Sequence, residues 1–188
     1  MLEPLIVSTG LVAVAEIGDK TQLLALLLAA RYRKPAPILA GILVATIANH
    51  ALAAGLGAAA GALLEGPWMR WVLGPAFLAF AAWALVPDEF GEDDGPAERP
   101  GRSVFWITAV AFFFVEMGDK TQVATAALAA RFQDVVMVAI GTTAGMMLAN
   151  GPVVLLGDKA AGKLPLKWIR IGAAASFAAV GLWILIGG

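Results

Sequence analysis

The heptapeptide Glu16-Ile17-Gly18-Asp19-Lys20-Thr21-Gln22 recurs one hundred residues later as Glu116-Met117-Gly118-Asp119-Lys120-Thr121-Gln122. The same offset aligns Leu28-Ala29-Ala30-Arg31 with Leu128-Ala129-Ala130-Arg131 and Gly41 with Gly141. It also aligns Trp68, Arg70, Phe77, Trp83 and Leu85 with Trp168, Arg170, Phe177, Trp183 and Leu185. A one-residue slip in the middle pairs Asn49 with Asn150 and sets Gly151 opposite His50. A seven-residue match with four charged or amide groups is far beyond chance in a chain this apolar. The protein therefore reads as two copies of one unit, residues 1–87 and 103–188, joined by 88–102.

Each copy has the length and polarity of three membrane spans. Hydrophobic residues make up 60% of the 188 and charged residues only 14%, against roughly 25% charged in a soluble domain; the mean hydropathy is +0.82. A bilayer core of about 30 Å needs about 20 mostly apolar helical residues. Segments 36–64 and 135–157 meet this with no acidic or basic residue, and 71–87 and 171–187 are shorter but equally uncharged. Segments 5–30 and 103–130 qualify only if the charged heptapeptides lie near their centres. The first begins without the basic run of a signal peptide and reads as a retained span. The expectation is an all-α integral membrane protein of six transmembrane helices in a single transmembrane domain, 1–188. An odd number of spans per copy turns the second copy upside down relative to the first, the inverted-repeat plan of many secondary transporters.

Segment 88–102, rich in Pro, Gly and acid, is a solvated linker at the midpoint. With six spans, Arg31, Arg33, Lys34, Arg99, Arg102, Lys159, Lys163, Lys167 and Arg170 share one side, and only Arg70 and Arg131 lie on the other. Basic residues mark the cytoplasmic side, so the linker is expected there and both termini on the non-cytoplasmic side. A bacterial inner membrane is the expected location.

Each charge at bilayer depth costs at least ~2.5–3.5 kcal/mol on insertion scales, so two clusters of three need a reason. At about 100° per residue, a continuous helix groups Glu16, Asp19 and Lys20 on one face, flanked by Gln22, and turns Thr21 away. Gly18 and Gly118 permit close helix approach or a local break, with tilt of an unbroken helix the simpler alternative. Salt bridges Glu16–Lys20 and Glu116–Lys120 would lock the core, but four carboxylates against two ammonium groups leave −2. An unpaired buried charge is expensive, and one divalent cation or two protons would neutralise it. Glu16, Asp19, Glu116 and Asp119 are thus the candidate metal ligands, with Lys20 and Lys120 for charge balance. Gln22, Gln122, Asn49 and Asn150 are candidate additional ligands. His50 lacks a counterpart under the slip and reads as a helix contact; Thr46, Thr142 and Thr143 are expected to bond backbone.

Composition excludes several classes. A net charge of −1 offers no field for nucleic acid. No Cys and one His exclude thiolate sites and a multi-His zinc site, and no nucleophile–base pair points to an enzyme. A cation channel would need a longer polar path, and an amino-acid exporter would need cationic groups free of acidic neighbours.

The doubled Glu-x-Gly-Asp-Lys-Thr pattern on the first and fourth spans of a six-span chain resembles the Gdt family, the second calcium:cation antiporter family, whose bacterial members include the MneA-type manganese exporters. Both copies match at every motif position, and the resemblance covers the whole chain. It implies export of a divalent cation, Mn²⁺ or alternatively Ca²⁺, from the cytoplasm in exchange for protons, with the motif acids as the translocation site and no cofactor. An oxygen donor set agrees with these ions, since softer metals seek Cys, Met or several His.

Overall fold

The computed structural model describes residues 2–63, 66, 68–87, 103–156 and 166–187, and among them finds eight helices and no strand. They are α1 (Glu3–Glu16), α2 (Lys20–Tyr32), α3 (Pro35–Leu63), α4 (Arg70–Ala84), α5 (Val104–Glu116), α6 (Lys120–Phe132), α7 (Val135–Leu156) and α8 (Leu166–Leu185). The linker 88–102 and the basic residues Lys159 and Lys163 lie outside the described residues. Three helical stretches are long and apolar enough to cross a membrane: Pro35–Leu63, Val135–Leu156 and Lys167–Leu185.

The two segments with central charges are not continuous helices. α1 ends at Glu16 and α2 starts at Lys20; α5 ends at Glu116 and α6 starts at Lys120. Gly18 has φ +83° and Gly118 φ +82°, left-handed values that cost an L side chain about 1–2 kcal/mol. The flanking residues repeat as closely, with Ile17 at φ −67°, ψ 118° and Met117 at −66°, 117°. Each break is held by its own motif: Gln22 Oε1 accepts the Gly18 N–H at 2.8 Å, and Gln122 Oε1 accepts that of Gly118 at 2.5 Å. Local sequence also sets the other ends. Arg33 and Gln133 adopt left-handed φ of 50° and 53°, each donating its N–H to the carbonyl four residues back. Pro35 then opens α3, and the Asp134 carboxylate caps α7 through the Met137 N–H at 3.0 Å.

The halves interlock. α1 packs along α7, and α5 and α6 pack along α3, so each half's broken helix lies on the other half's long helix. A Cβ at Gly41 would meet Phe105 and Thr108, and one at Gly141 would meet Leu5 and Ser8. Asn49 Nδ2 donates to Phe113 O at 3.0 Å further along. α3 therefore runs parallel to α5, and α1 parallel to α7. α4 and α8 cross antiparallel, with Gly74 against Leu185 and Gly181 against Phe77, and a cluster of Phe77, Phe80 and Phe177 rings at the crossing.

The one-residue slip between the halves does not exist in space. Ile42, Ala45, Thr46, Asn49, His50, Ala53 and Ala54 are buried on α3, and Thr142, Gly145, Met146, Ala149, Asn150, Val153 and Val154 are buried on α7. The offset stays at 100 throughout, so the counterpart of Asn150 is His50 rather than Asn49. A slip of one residue turns a helix by about 100° and would have put Gly151 on the buried face and Ala149 off it, whereas Ala149 is buried and Gly151 is not.

Candidate cation site

The acids that flank the two breaks lie in the protein interior, and the breaks bring three of the four together. Glu16, Glu116 and Asp119 each offer a carboxylate oxygen, and these oxygens lie within 4.8 Å of one another. Asp19 is outside that triplet but lines the same cleft as Asp119. All four acids are at most 5% exposed. Glu16 Oε1 and Glu116 Oε2 have no hydrogen-bond partner among the described residues. Their other oxygens accept from Thr21 Oγ1 at 2.6 Å and Thr121 Oγ1 at 2.8 Å. This corrects the expectation that Thr21 faces away, which assumed an unbroken helix; the turn at Gly18 swings Thr21 back over Glu16. Buried acceptors without donors are rare and point to an ion or a proton, and two carboxylates sharing space can hold either.

Lys20 forms its ion pair outside its own motif. Lys20 Nζ lies 3.5 Å from Asp119 Oδ1, an ion pair between the halves. Lys120 Nζ donates to Val86 O at 3.2 Å and sits 5.7 Å over the Trp83 ring. The break removes the helical turn that would have set Lys20 beside Glu16.

Beyond the acids, Gln22 and Gln122 hold the breaks through their carbonyl oxygens, and Gln22 Nε2 also reaches Ala149 O at 3.1 Å. Asn49 Oδ1 and Asn150 Oδ1 are buried with no donor among the described residues, as are both ring nitrogens of His50. Asn150 Nδ2 donates to Met146 O at 3.2 Å. Of the threonines, Thr142 bonds Val138 O as expected at 2.9 Å, whereas the Thr143 hydroxyl has no partner among the described residues. A cleft partly open to solvent is lined by Asp19 and Asp119 together with Ala84 at the end of α4 and Arg170 near the start of α8.

The sequence profile of the family described as "Divalent cation/proton antiporter GDT1" matches residues 4–92 and 104–188, the two halves that the repeated motif defines. The chain belongs to the GDT1 family. A Vibrio cholerae serotype O1 protein named "Putative manganese exporter" is 51% identical over 171 residues, covering 90% of this chain and 84% of that one. The Arabidopsis thaliana protein "GDT1-like protein 5" is 29% identical over 216 residues, covering 95% and 93%. "GDT1-like protein 4" of Oryza sativa subsp. indica is 30% identical over 181 residues, covering 84% of this chain and 64% of its own. No solved structure matches the chain. Membership in GDT1 makes the chain a transporter rather than an enzyme, exchanging divalent cations for protons, and implies no cofactor. Channel and amino-acid-exporter readings fall away with it.

Proposed function

We propose that the protein exports Mn²⁺ from the cytoplasm in exchange for protons, through a site made by Glu16, Glu116 and Asp119 with Asp19 beside them. The observation that carries this reading is the triplet of buried carboxylate oxygens, drawn from both halves and within 4.8 Å. Four acids and two lysines sum to −2, which one divalent ion or two protons cancels. An empty site carrying that charge through a low-dielectric barrier is costly, so the return step takes protons. The name of the Vibrio cholerae relative supports Mn²⁺ as the ion; Ca²⁺, which accepts six to eight oxygens, is the alternative.

The chain crosses the membrane six times in this reading, with α1 and α2 together as the first span and α5 and α6 together as the fourth. The directions of α1 with α7, α3 with α5, and α4 against α8 support it, because consecutive spans must alternate. The second unit, 103–188, is then inverted relative to the first, 1–87. Two broken spans meeting at the midplane are a recurrent way to build an ion site, since unwound backbone there lines a cavity instead of facing lipid. The basic loops put the linker 88–102 in the cytoplasm and both termini outside it, in a bacterial inner membrane. Arg170 and Ala84 are at the cytoplasmic ends of their helices in this orientation, so the cleft opens inward. A carboxy-terminal reporter active only in the cytoplasm would overturn the orientation.

The experiment is flux into proteoliposomes carrying a pH dye, with Mn²⁺, Ca²⁺ and Mg²⁺ compared. Mn²⁺ movement driven by an opposing proton gradient is expected to carry protons the other way, to stall when that gradient is collapsed, and to be nearly indifferent to voltage, as one divalent ion for two protons requires. Mn²⁺ flux without proton counterflow refutes the exchange, and Ca²⁺ flux well above Mn²⁺ reassigns the ion.

A further inference from the structure

We propose that His50 is a nitrogen ligand of the transported ion and tilts the site toward Mn²⁺ over Ca²⁺. It is the chain's one histidine. It lies on α3 with no exposed surface, and neither ring nitrogen has a hydrogen-bond partner among the described residues. A neutral imidazole carries one donor and one acceptor. Leaving both unmade in the interior costs the desolvation of each group, and a buried pair of orphans calls for an ion or water as the partner.

The packing of α3 places this ring beside the second break. A Cβ at Gly57 would run into Ala126, and one at Gly61 into Ala130, so these two glycines mark the stripe of α3 that faces α6. Both pairs are 69 apart in number. His50 precedes Gly57 by seven residues, which returns a helix to within about 20° of the same stripe. The same separation of 69 brings His50 level with Asp119, where α6 begins. Its neighbour Asn49 is tied to Phe113 O on α5, three residues before Glu116. This register puts His50 at the level of the second break.

The repeat supplies a second, independent observation. Burial follows the offset of 100, so His50 occupies in the first half the place of Asn150 in the second. The Asn150 carbonyl oxygen is also buried and without a donor. At this pair of equivalent positions each half presents a neutral, unpartnered ligand atom: an amide oxygen from α7 and an imidazole nitrogen from α3. The triplet of close carboxylate oxygens does not include His50, so the ring turns onto the ion as it enters. An all-oxygen shell serves Ca²⁺ well. A nitrogen donor adds more to the binding of a transition ion than to that of a hard alkaline-earth ion, so the asymmetry between His50 and Asn150 acts on selectivity.

The inference rests on the acid site proposed above, and the experiment separates the two. The full chain is purified on a histidine-free affinity tag and loaded with Mn²⁺, and electron spin-echo envelope modulation reads nitrogen coupled to the bound ion. The expected result is the modulation of a coordinated ¹⁴N imidazole, replaced by the ¹⁵N pattern when the protein is grown on ¹⁵N-histidine. With one histidine in the chain, that signal belongs to His50. In His50→Gln the modulation is lost while Mn²⁺ still binds, and the ratio of Mn²⁺ to Ca²⁺ affinity falls by about tenfold or more, the scale of a change in a metal's surroundings. Bound Mn²⁺ that shows no imidazole nitrogen in the native protein overturns the inference, whether or not the variant folds; an unchanged affinity ratio in a folded His50→Gln does the same. Mn²⁺ binding that survives Asp119→Asn undiminished overturns the acid site instead.

Discussion

The hydroxyls of Thr21 and Thr121 offer a direct test of how the site is built, because a continuous helix and the broken one disagree about them. Each is buried and donates to one oxygen of its motif glutamate, at 2.6 Å to Glu16 and 2.8 Å to Glu116, leaving the second oxygen of each acid without a partner. The hydroxyl pins the carboxylate so that its free oxygen faces the ion. Hydrogen bonds to charged groups contribute about 1.5–3 kcal/mol, and 1.4 kcal/mol is a factor of ten. Thr21→Val and Thr121→Val keep the side-chain shape and remove the donor, so each is expected to weaken apparent Mn²⁺ affinity by about 10- to 100-fold. Serine at either position restores the donor and most of the affinity. The Mn²⁺ dependence of initial flux in proteoliposomes reads this, alongside loss of the free Mn²⁺ resonance signal on binding. Thr9→Val is the control, because that hydroxyl is bonded to Leu5 O at 2.7 Å within α1. Valine variants with native Mn²⁺ affinity would refute the reasoning and return Thr21 to the far side of an unbroken helix.

Three further outcomes follow from the same geometry. Glu16→Gln, Asp19→Asn, Glu116→Gln and Asp119→Asn are each expected to abolish or severely reduce flux while Asp88→Asn and Glu92→Gln leave it intact; full flux in any two of the first four breaks the single-site reading. Lys20→Met removes the partner held 3.5 Å from Asp119 and makes the site more negative, so Mn²⁺ titrates more tightly while turnover slows; a plain loss of affinity contradicts this. Exchange of the two halves predicts a second packing of α4 and α8: a Cβ at Gly172 would lie 3.9 Å from Val14, and the counterpart pair is Val72 and Phe114, now 44% and 66% exposed. Cysteines at 14 and 172 should crosslink in the state described here, and cysteines at 72 and 114 only when ion and proton conditions favour the opposite opening; a 72–114 crosslink that ignores those conditions refutes the exchange.

The repeated motif and its net charge were legible in the sequence because both depend only on which residues are present. The break was not. A helical wheel assumes a constant turn per residue, and Gly18 permits a left-handed φ without requiring it, so a broken and a tilted span read alike. Everything that depended on the wheel moved with the break: Thr21 came inward, and Lys20 left Glu16. The counterpart of His50 was lost for a different reason. Alignment counts identities and prefers to match Asn49 with Asn150, whereas packing counts faces, and Gly41 and Gly141 meet their neighbours at the same offset as the motifs do.

The displaced lysine also explains why two copies of the motif belong in one chain. Within a continuous helix Lys20 would neutralise its own Glu16, and each half would be a closed unit with no electrostatic need of the other. The break instead sends Lys20 to Asp119, while Glu16 meets Glu116 and Asp119, each glutamate keeping one oxygen without a partner among the described residues. A single half then holds carboxylates it cannot balance, and a cation entering the joint site must share Asp119 with the ammonium of the opposite half. The ion's arrival therefore changes an interaction between the halves and not only within one of them. That is the physical link an exchanger requires: the occupant of the site, metal or protons, alters the contact that joins the two halves.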